Sequence, residues 1–299
     1  MNKILIPTDF SLTSEKAYKM AATFATSTGA ELIFLHIIPR EKRKRLSVVF
    51  ASAANIAAYD TTEEIAVATK MLEEISLNPL FKGLIVSTKL ISDTSEDIPT
   101  AIATFEEENE IDLVIVGTDI GRTTRKNYAP MIVRIAKCPV ITVDQNVEEN
   151  IALKNLLLAT DFENVNYKFM DKVWAIQDCF NSKLTVLYVN TRSFFKDTQK
   201  IEKEYSLFVS KYELENTELV IFNDHNLENG VLNYVERLKP DMLIMSTHGR
   251  TGLATLFNKS HAEYVVGHAQ LPVYVHNLFV DNGIFNGSAE AGSFNFERM

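Results

Sequence analysis

The chain has 299 residues, 46% hydrophobic and 23% charged, a balance that suits a soluble globular protein with room for two domains, each with its own core. A formal net charge of -9 argues against binding nucleic acid or anionic membrane through a basic face, and no apolar run approaches the ~20 residues that cross a bilayer. The two cysteines, Cys138 and Cys179, lie far apart and in no metal-ligand spacing, so thiols in a reducing, cytoplasmic setting are expected.

In chain order, Lys3–Pro7 is a short apolar run, as in a buried parallel strand. Ser11 or Thr13 can cap a helix running to about Thr28, with Ala17, Met20, Ala21, Phe24 and Ala25 on one face and Gly29 as its stop. Strands are expected at Glu31–Ile38, about Leu84–Ser92, Ile111–Gly117 and Pro139–Val143, with helices over Ser95–Asn109 and Pro130–Ala136. The rest of the chain repeats this order. Strands fall at 155–160, 183–190, 217–223, 241–247 and 272–276, and helices at 165–180, 195–212, 227–238 and 260–269.

Three echoes, in the same order, show that one unit was duplicated. Ile4-Leu-Ile-Pro-Thr-Asp-Phe-Ser11 returns as Leu156-Leu-Leu-Ala-Thr-Asp-Phe-Glu163. Asp112-Leu-Val-Ile-Val-Gly-Thr118 returns as Asp241-Met-Leu-Ile-Met-Ser-Thr247, and Pro139-Val-Ile-Thr-Val143 as Pro272-Val-Tyr-Val-His276. The fold expected is therefore α/β, with two tandem doubly wound parallel-sheet domains at 1–146 and 152–277, a short polar linker at 144–152 and a tail at 278–299. That tail scatters aromatic residues without a helical period.

Ligands of open α/β sheets sit beyond the carboxyl ends of the strands. Thr8-Asp9 and Thr160-Asp161 follow the first strand of each half, where the carboxylate can meet a ligand or serve the helix entry. Ser246–Ser260 follows the fourth strand of the second half. Its small residues and following helix read either as a phosphate cradle or as a structural turn capped by Ser260. No histidine or cysteine pair has metal spacing, and His248, His261, His225, His268 and His276 read as loop or surface residues. Lys42-Arg-Lys-Arg45 reads as a solvated run, since no interleaved aromatics support stacking on nucleic acid. The Gly-x-x-x-x-Gly-Lys-Ser/Thr loop, the Gly-x-Ser-x-Gly elbow and a Gly-x-Gly-x-x-Gly turn after the first strand are all missing, so no enzyme is expected.

The strand-Asp opening, the DMLIMSTHGRTG segment and the closing LPVYVH strand resemble the universal stress protein family. The resemblance implies an adenine nucleotide alpha hydrolase-like fold and a non-enzymatic stress or signalling role. It also implies ATP binding through Gly, two residues, Gly, nine residues, Gly and then Ser or Thr. On the second half, Ser246 takes the first glycine position, Gly249 the second, Lys259 the third and Ser260 the hydroxyl. The resemblance also sets Asp161 near the adenine and the Val189 backbone against the base. Lys259 either contacts phosphate directly or crowds the space that glycine leaves open. The first half keeps Gly117 but has Ile120 at the second position and Pro130-Met131 in place of Gly-Ser, a degenerate loop, although Asp9 and Ile37 hold the base-contacting positions. Pairing of the two closing strands about a pseudo-two-fold axis is expected, with a homodimer as a further option. Alternatives are an interaction module that has lost the nucleotide, or a carrier of a small-molecule or lipid ligand, suggested by the apolar Leu46–Tyr59 stretch and the tail.

Overall fold

The computed structural model describes residues 1–40, 61–119, 127–147, 151–163, 165–247 and 259–278. The first half lays out β1 (Lys3–Pro7), α1 (Leu12–Thr28), β2 (Glu31–Pro39), α2 (Thr61–Ser76), β3 (Val86–Thr94), α3 (Ile98–Glu108), β4 (Leu113–Thr118), α4 (Ala129–Ile135) and β5 (Val140–Asp144). The second follows with β6 (Asn155–Ala159), α5 (Tyr167–Phe180), β7 (Lys183–Thr191), α6 (Thr198–Tyr212), β8 (Thr217–Asp224), α7 (Leu227–Leu238), β9 (Met242–Thr247), α8 (Lys259–Val266) and β10 (Val273–Asn277).

All ten strands join one sheet in the order β3-β2-β1-β4-β5-β10-β9-β6-β7-β8. Within each half the pairs are parallel, and strand order reverses beside the first strand, β1 in one half and β6 in the other. The halves meet antiparallel through β5 and β10, with Val140, Ile141 and Thr142 opposite Val275, Tyr274 and Val273. This is the expected closing-strand pairing. It turns the strand tips of the two repeats toward opposite edges of the sheet.

Each face of the sheet carries one continuous apolar layer that spans both repeats. One is built on Ile4, Ile6, Phe24, Phe34, Ile141, Phe169 and Tyr274, the other on Leu5, Val114, Ile132, Leu157, Val231 and Val275. Strands covered on both faces read as unbroken apolar runs, which is why β1, β4 and β9 were legible. Across the joint, the Phe24 and Phe180 rings meet edge-on at 5.2 Å, and Lys16 Nζ donates to the Val147 carbonyl at 2.8 Å.

Helix ends follow local chemistry. Ser11 caps α1 by accepting the Ser14 N–H at 3.2 Å, and Gly29 ends it at φ 73°, a left-handed turn that glycine adopts without strain. Asp97, Asn166, Asp197 and Asn226 cap α3, α5, α6 and α7. The α3 and α6 starts therefore lie three residues later than the apolar pattern alone implied. Helix α2 was not anticipated, although Ala68, Leu72 and Ile75 bury one side of it. The Lys42–Arg45 run, the Leu46–Tyr59 stretch and residues 279–299 lie outside the described residues. Leu278 itself is buried in the second repeat's core. No helix among the described residues is long and apolar enough to cross a membrane.

Candidate functional site

The chain turns off β1 and β6 with one set of bonds. Thr8 Oγ1 accepts the Phe10 N–H at 2.9 Å, and Thr160 Oγ1 accepts the Phe162 N–H at 3.0 Å. Asp9 Oδ1 accepts the Ser11 N–H at 3.0 Å, and Asp161 Oδ1 accepts the Glu163 N–H at 2.9 Å. Phe10 and Phe162 both sit at positive φ, 60° and 66°. Such angles are costly for an aromatic residue and persist only where their surroundings hold them. The pair of side-chain turns does that, so both aspartates hold the turn that leaves the strand.

Beyond this turn the repeats diverge. In the first, a cleft of about 460 Å³ opens between the tips of β1, β2 and β4 and the starts of α1, α3 and α4. Asp9 is exposed at its rim, Ile37 forms part of its floor, and Ile98, Ile102, Val116 and Ile132 make an apolar wall. His36 Nδ1–H donates to the Thr8 carbonyl at 2.7 Å, and its ring lies 4.5 Å from that of Phe10. Asn127 donates to Thr118 Oγ1 at 2.9 Å and accepts the Ala129 N–H at 3.1 Å, which fixes the entry to α4. Tyr128 stands at that entry, and burial, with Asp97 nearby, raises its phenol above the ordinary range, so it remains a hydroxyl donor. Asp9 and Asp119 are the charged side chains among the described residues lining the cleft. Pro130 in the first turn of α4 offers no N–H.

In the second repeat Asp161 is buried, 4% exposed, and Val189 is buried at the end of β7. The Val189 side chain fills the place where a Cβ on Gly230 would stand, 2.4 Å from Cγ1. Counted from the helix caps Asp97 and Asn226, Gly230 matches Ala101, so the helix lies closer to the sheet at this tip than in the first repeat. Lys196 Nζ bonds Glu204 at 2.9 Å and Glu163 at 3.3 Å, beside the Tyr188 ring. Burial pulls its ammonium down, but these partners outweigh that and hold its pKa above the ordinary value. Its charge is thus already balanced.

Ser246 lies buried in β9, and Lys259 and Ser260 stand in the first turn of α8. The helix therefore opens one residue before the cap expected at Ser260. Gly249 and the rest of 248–258 lie outside the described residues, as does Ile120. Ser246 and the α8 start are brought to the same sheet edge as Asp161 and Val189, since all follow strand carboxyl ends of one parallel set. His261 is engaged with Glu228 of α7. No group of three or more His, Cys, Asp or Glu placed to hold a metal exists among the described residues.

Gly117 has a structural reason of its own. A Cβ there would lie 2.7 Å from the Thr13 carbonyl oxygen, so α1 can seat against β4 only if this position is glycine. Asn166 caps α5 six residues after Thr160, whereas Ser11 caps α1 three residues after Thr8. The longer entry in the second repeat is consistent with a serine at 246. The glycine pattern at this position thus reports how the first helix packs. Sequence reasoning missed the apolar wall formed by Ile98 and Ile102, although their four-residue spacing after the Asp97 cap signals one helix face.

The universal stress protein family model matches residues 1–144 and 152–276. A universal stress protein crystal structure from Archaeoglobus fulgidus DSM 4304 superposes with a TM-score of 0.69 at 16% identity, covering 92% of this chain and 98% of that one. A Pseudomonas aeruginosa UCBPP-PA14 protein assigned to the same family gives 0.61 at 15% identity, covering 93% of each chain. A Pseudomonas aeruginosa PAO1 protein of unknown function gives 0.60 at 15%, covering 93% of this chain and 92% of that one. At these identities the likeness shows the fold. Curated proteins give no match.

Proposed function

The chain belongs to the universal stress protein family, and on that premise we propose that it is a non-enzymatic stress-response or signalling protein that holds an adenine-containing ligand at its strand tips. The observation that carries this reading is the cleft of about 460 Å³ where strand order reverses around β1, with Asp9 at its rim, Ile37 in its floor and an apolar wall behind. A planar base suits such a slot, its flat face on the isoleucines and its amine toward a carboxylate. With Asp9 and Asp119 at the rim and no N–H at Pro130, the first repeat favours a ligand of low negative charge, adenosine or AMP, over a triphosphate. In the second repeat, Asp161 and Val189 remain the proposed base contacts, and Ser246, Gly249, Lys259 and Ser260 the proposed phosphate contacts.

Calorimetry with adenosine, AMP and ATP on the full chain tests this. The expected result is saturable heat with adenosine and AMP that is lost in Ile98→Trp, which fills the first cleft, while any ATP heat persists in that variant and is lost in Asp161→Ala. No heat from any of the three at millimolar concentration would leave an interaction module. Phosphate released from ATP by wild type and abolished by Asp161→Ala would make the protein an enzyme instead.

A further inference from the structure

A second cavity, of about 730 Å³, opens at the other end of the second repeat's strands, between the linker, α7 and the α8–β10 connection. What it is built to take emerges from the matching place in the first repeat. There, Glu106 of α3 is buried, 2% exposed, and one of its oxygens accepts the backbone N–H of both Lys137 (2.8 Å) and Cys138, the residues that turn the chain from α4 into β5. Counting from the caps Asp97 and Asn226, Glu106 corresponds to Val235. Counting back from Pro139 and Pro272, Lys137 and Cys138 correspond to Gln270 and Leu271, and both stretches take the same bend before the strand.

The carboxylate is thus missing from the second repeat while the donors remain. Among the described residues, neither the Gln270 nor the Leu271 N–H has an acceptor, and both residues line the cavity together with Val235. Leu271 is buried and Gln270 exposed, and an N–H without a protein partner beside a cavity can donate to an incoming acceptor. Lys239 brings positive charge to the same walls, which His268 also lines. Of the two acidic residues there, Asp241 already accepts the Lys154 and Asn155 N–H groups, each at 2.7 Å, and Glu236 is exposed.

We propose that this cavity binds a small-molecule carboxylate, one oxygen of which receives the Gln270 and Leu271 N–H groups as Glu106 does in the first repeat. The size of the space fits a small organic acid rather than a bare ion. This site shares no lining residue with the first repeat's cleft and lies at the opposite end of the second repeat's strands from Asp161 and Ser246.

The test is an amide-resolved NMR titration of the full chain with sodium glutarate, against sodium chloride at equal ionic strength. Expected are saturable downfield shifts of the Gln270 and Leu271 amide protons, while Lys137 and Cys138, already satisfied by Glu106, stay still. In Val235→Glu, which installs the missing carboxylate, the two shifts should be at least tenfold weaker. Still Gln270 and Leu271 amides, equal movement of Lys137 and Cys138, or reproduction by chloride would each overturn the proposal. The internal comparison in wild type decides the matter even if the variant fails to fold.

Discussion

The first repeat keeps an exposed Asp9 over an open cleft, while the second buries Asp161 and lets Val189 fill the space beside Gly230. At the other end of the strands the order is reversed: Glu106 closes the first repeat's turn, and Val235 leaves the second's open. Both repeats share the strand register, the Thr-Asp-Phe turn and the aspartate that anchors the start of β1 or β6, where Asp112 accepts the Asn2 and Lys3 N–H groups and Asp241 those of Lys154 and Asn155. Duplication has therefore preserved the backbone scaffold, and divergence lies in which side chain plugs which gap. A repeat that looks degenerate in a motif can still hold a cleft at its strand tips.

Four substitutions probe that contrast, beginning where the repeats are inseparable. Ile141 is fully buried at the β5–β10 joint, and Ile141→Ala should cost about 2–5 kcal/mol. Thermal unfolding followed by circular dichroism should show one transition, moved as a whole, because both apolar layers cross the joint. Two separable transitions would mean the repeats are independent bodies. Next, Gly117→Ala should cost about 1–3 kcal/mol through collision with the Thr13 carbonyl, while Ser246→Ala should stay under about 1 kcal/mol. Equal losses in denaturant titration would refute the packing account of Gly117.

The smallest effect concerns pH. Burial raises the Glu106 carboxyl above its ordinary value, against the opposing bonds from Cys138 and Lys137. A raised pKa means the folded state holds the proton more tightly than the unfolded chain. The contribution is therefore complete below the ordinary carboxylate range and is lost as pH rises through the raised value. Glu106→Gln should flatten the melting temperature across that acidic window, a slope that Val235 cannot supply in the second repeat. An unchanged slope would remove Glu106 as its source.

Much of this molecule was legible in the residues. Apolar runs such as Leu113–Val116 announce strands covered on both faces, and the three ordered echoes announce the duplication and its closing pair. Helix α2 escaped because it has no counterpart echo and a long stretch precedes it. The α3 and α6 starts slipped because a capping aspartate, not apolarity, sets the first turn. At the site, motif spacing ranked the repeats by glycines. Yet Gly117 answers to Thr13, and the volume of a cleft depends on a pair such as Val189 and Gly230, which no linear pattern brings together.

Because β5 and β10 run in opposite directions, the first repeat's cleft and the second repeat's open turn come out on the same border of the sheet, on either side of the linker. Gln145 faces one and its neighbour Asn146 the other, and Asn146 is tied through both its backbone and side-chain N–H to Asp144 Oδ1, at 3.0 and 2.7 Å. Two chambers thus take neighbouring residues of one short turn as wall, and a ligand that moves this turn is expected to alter both.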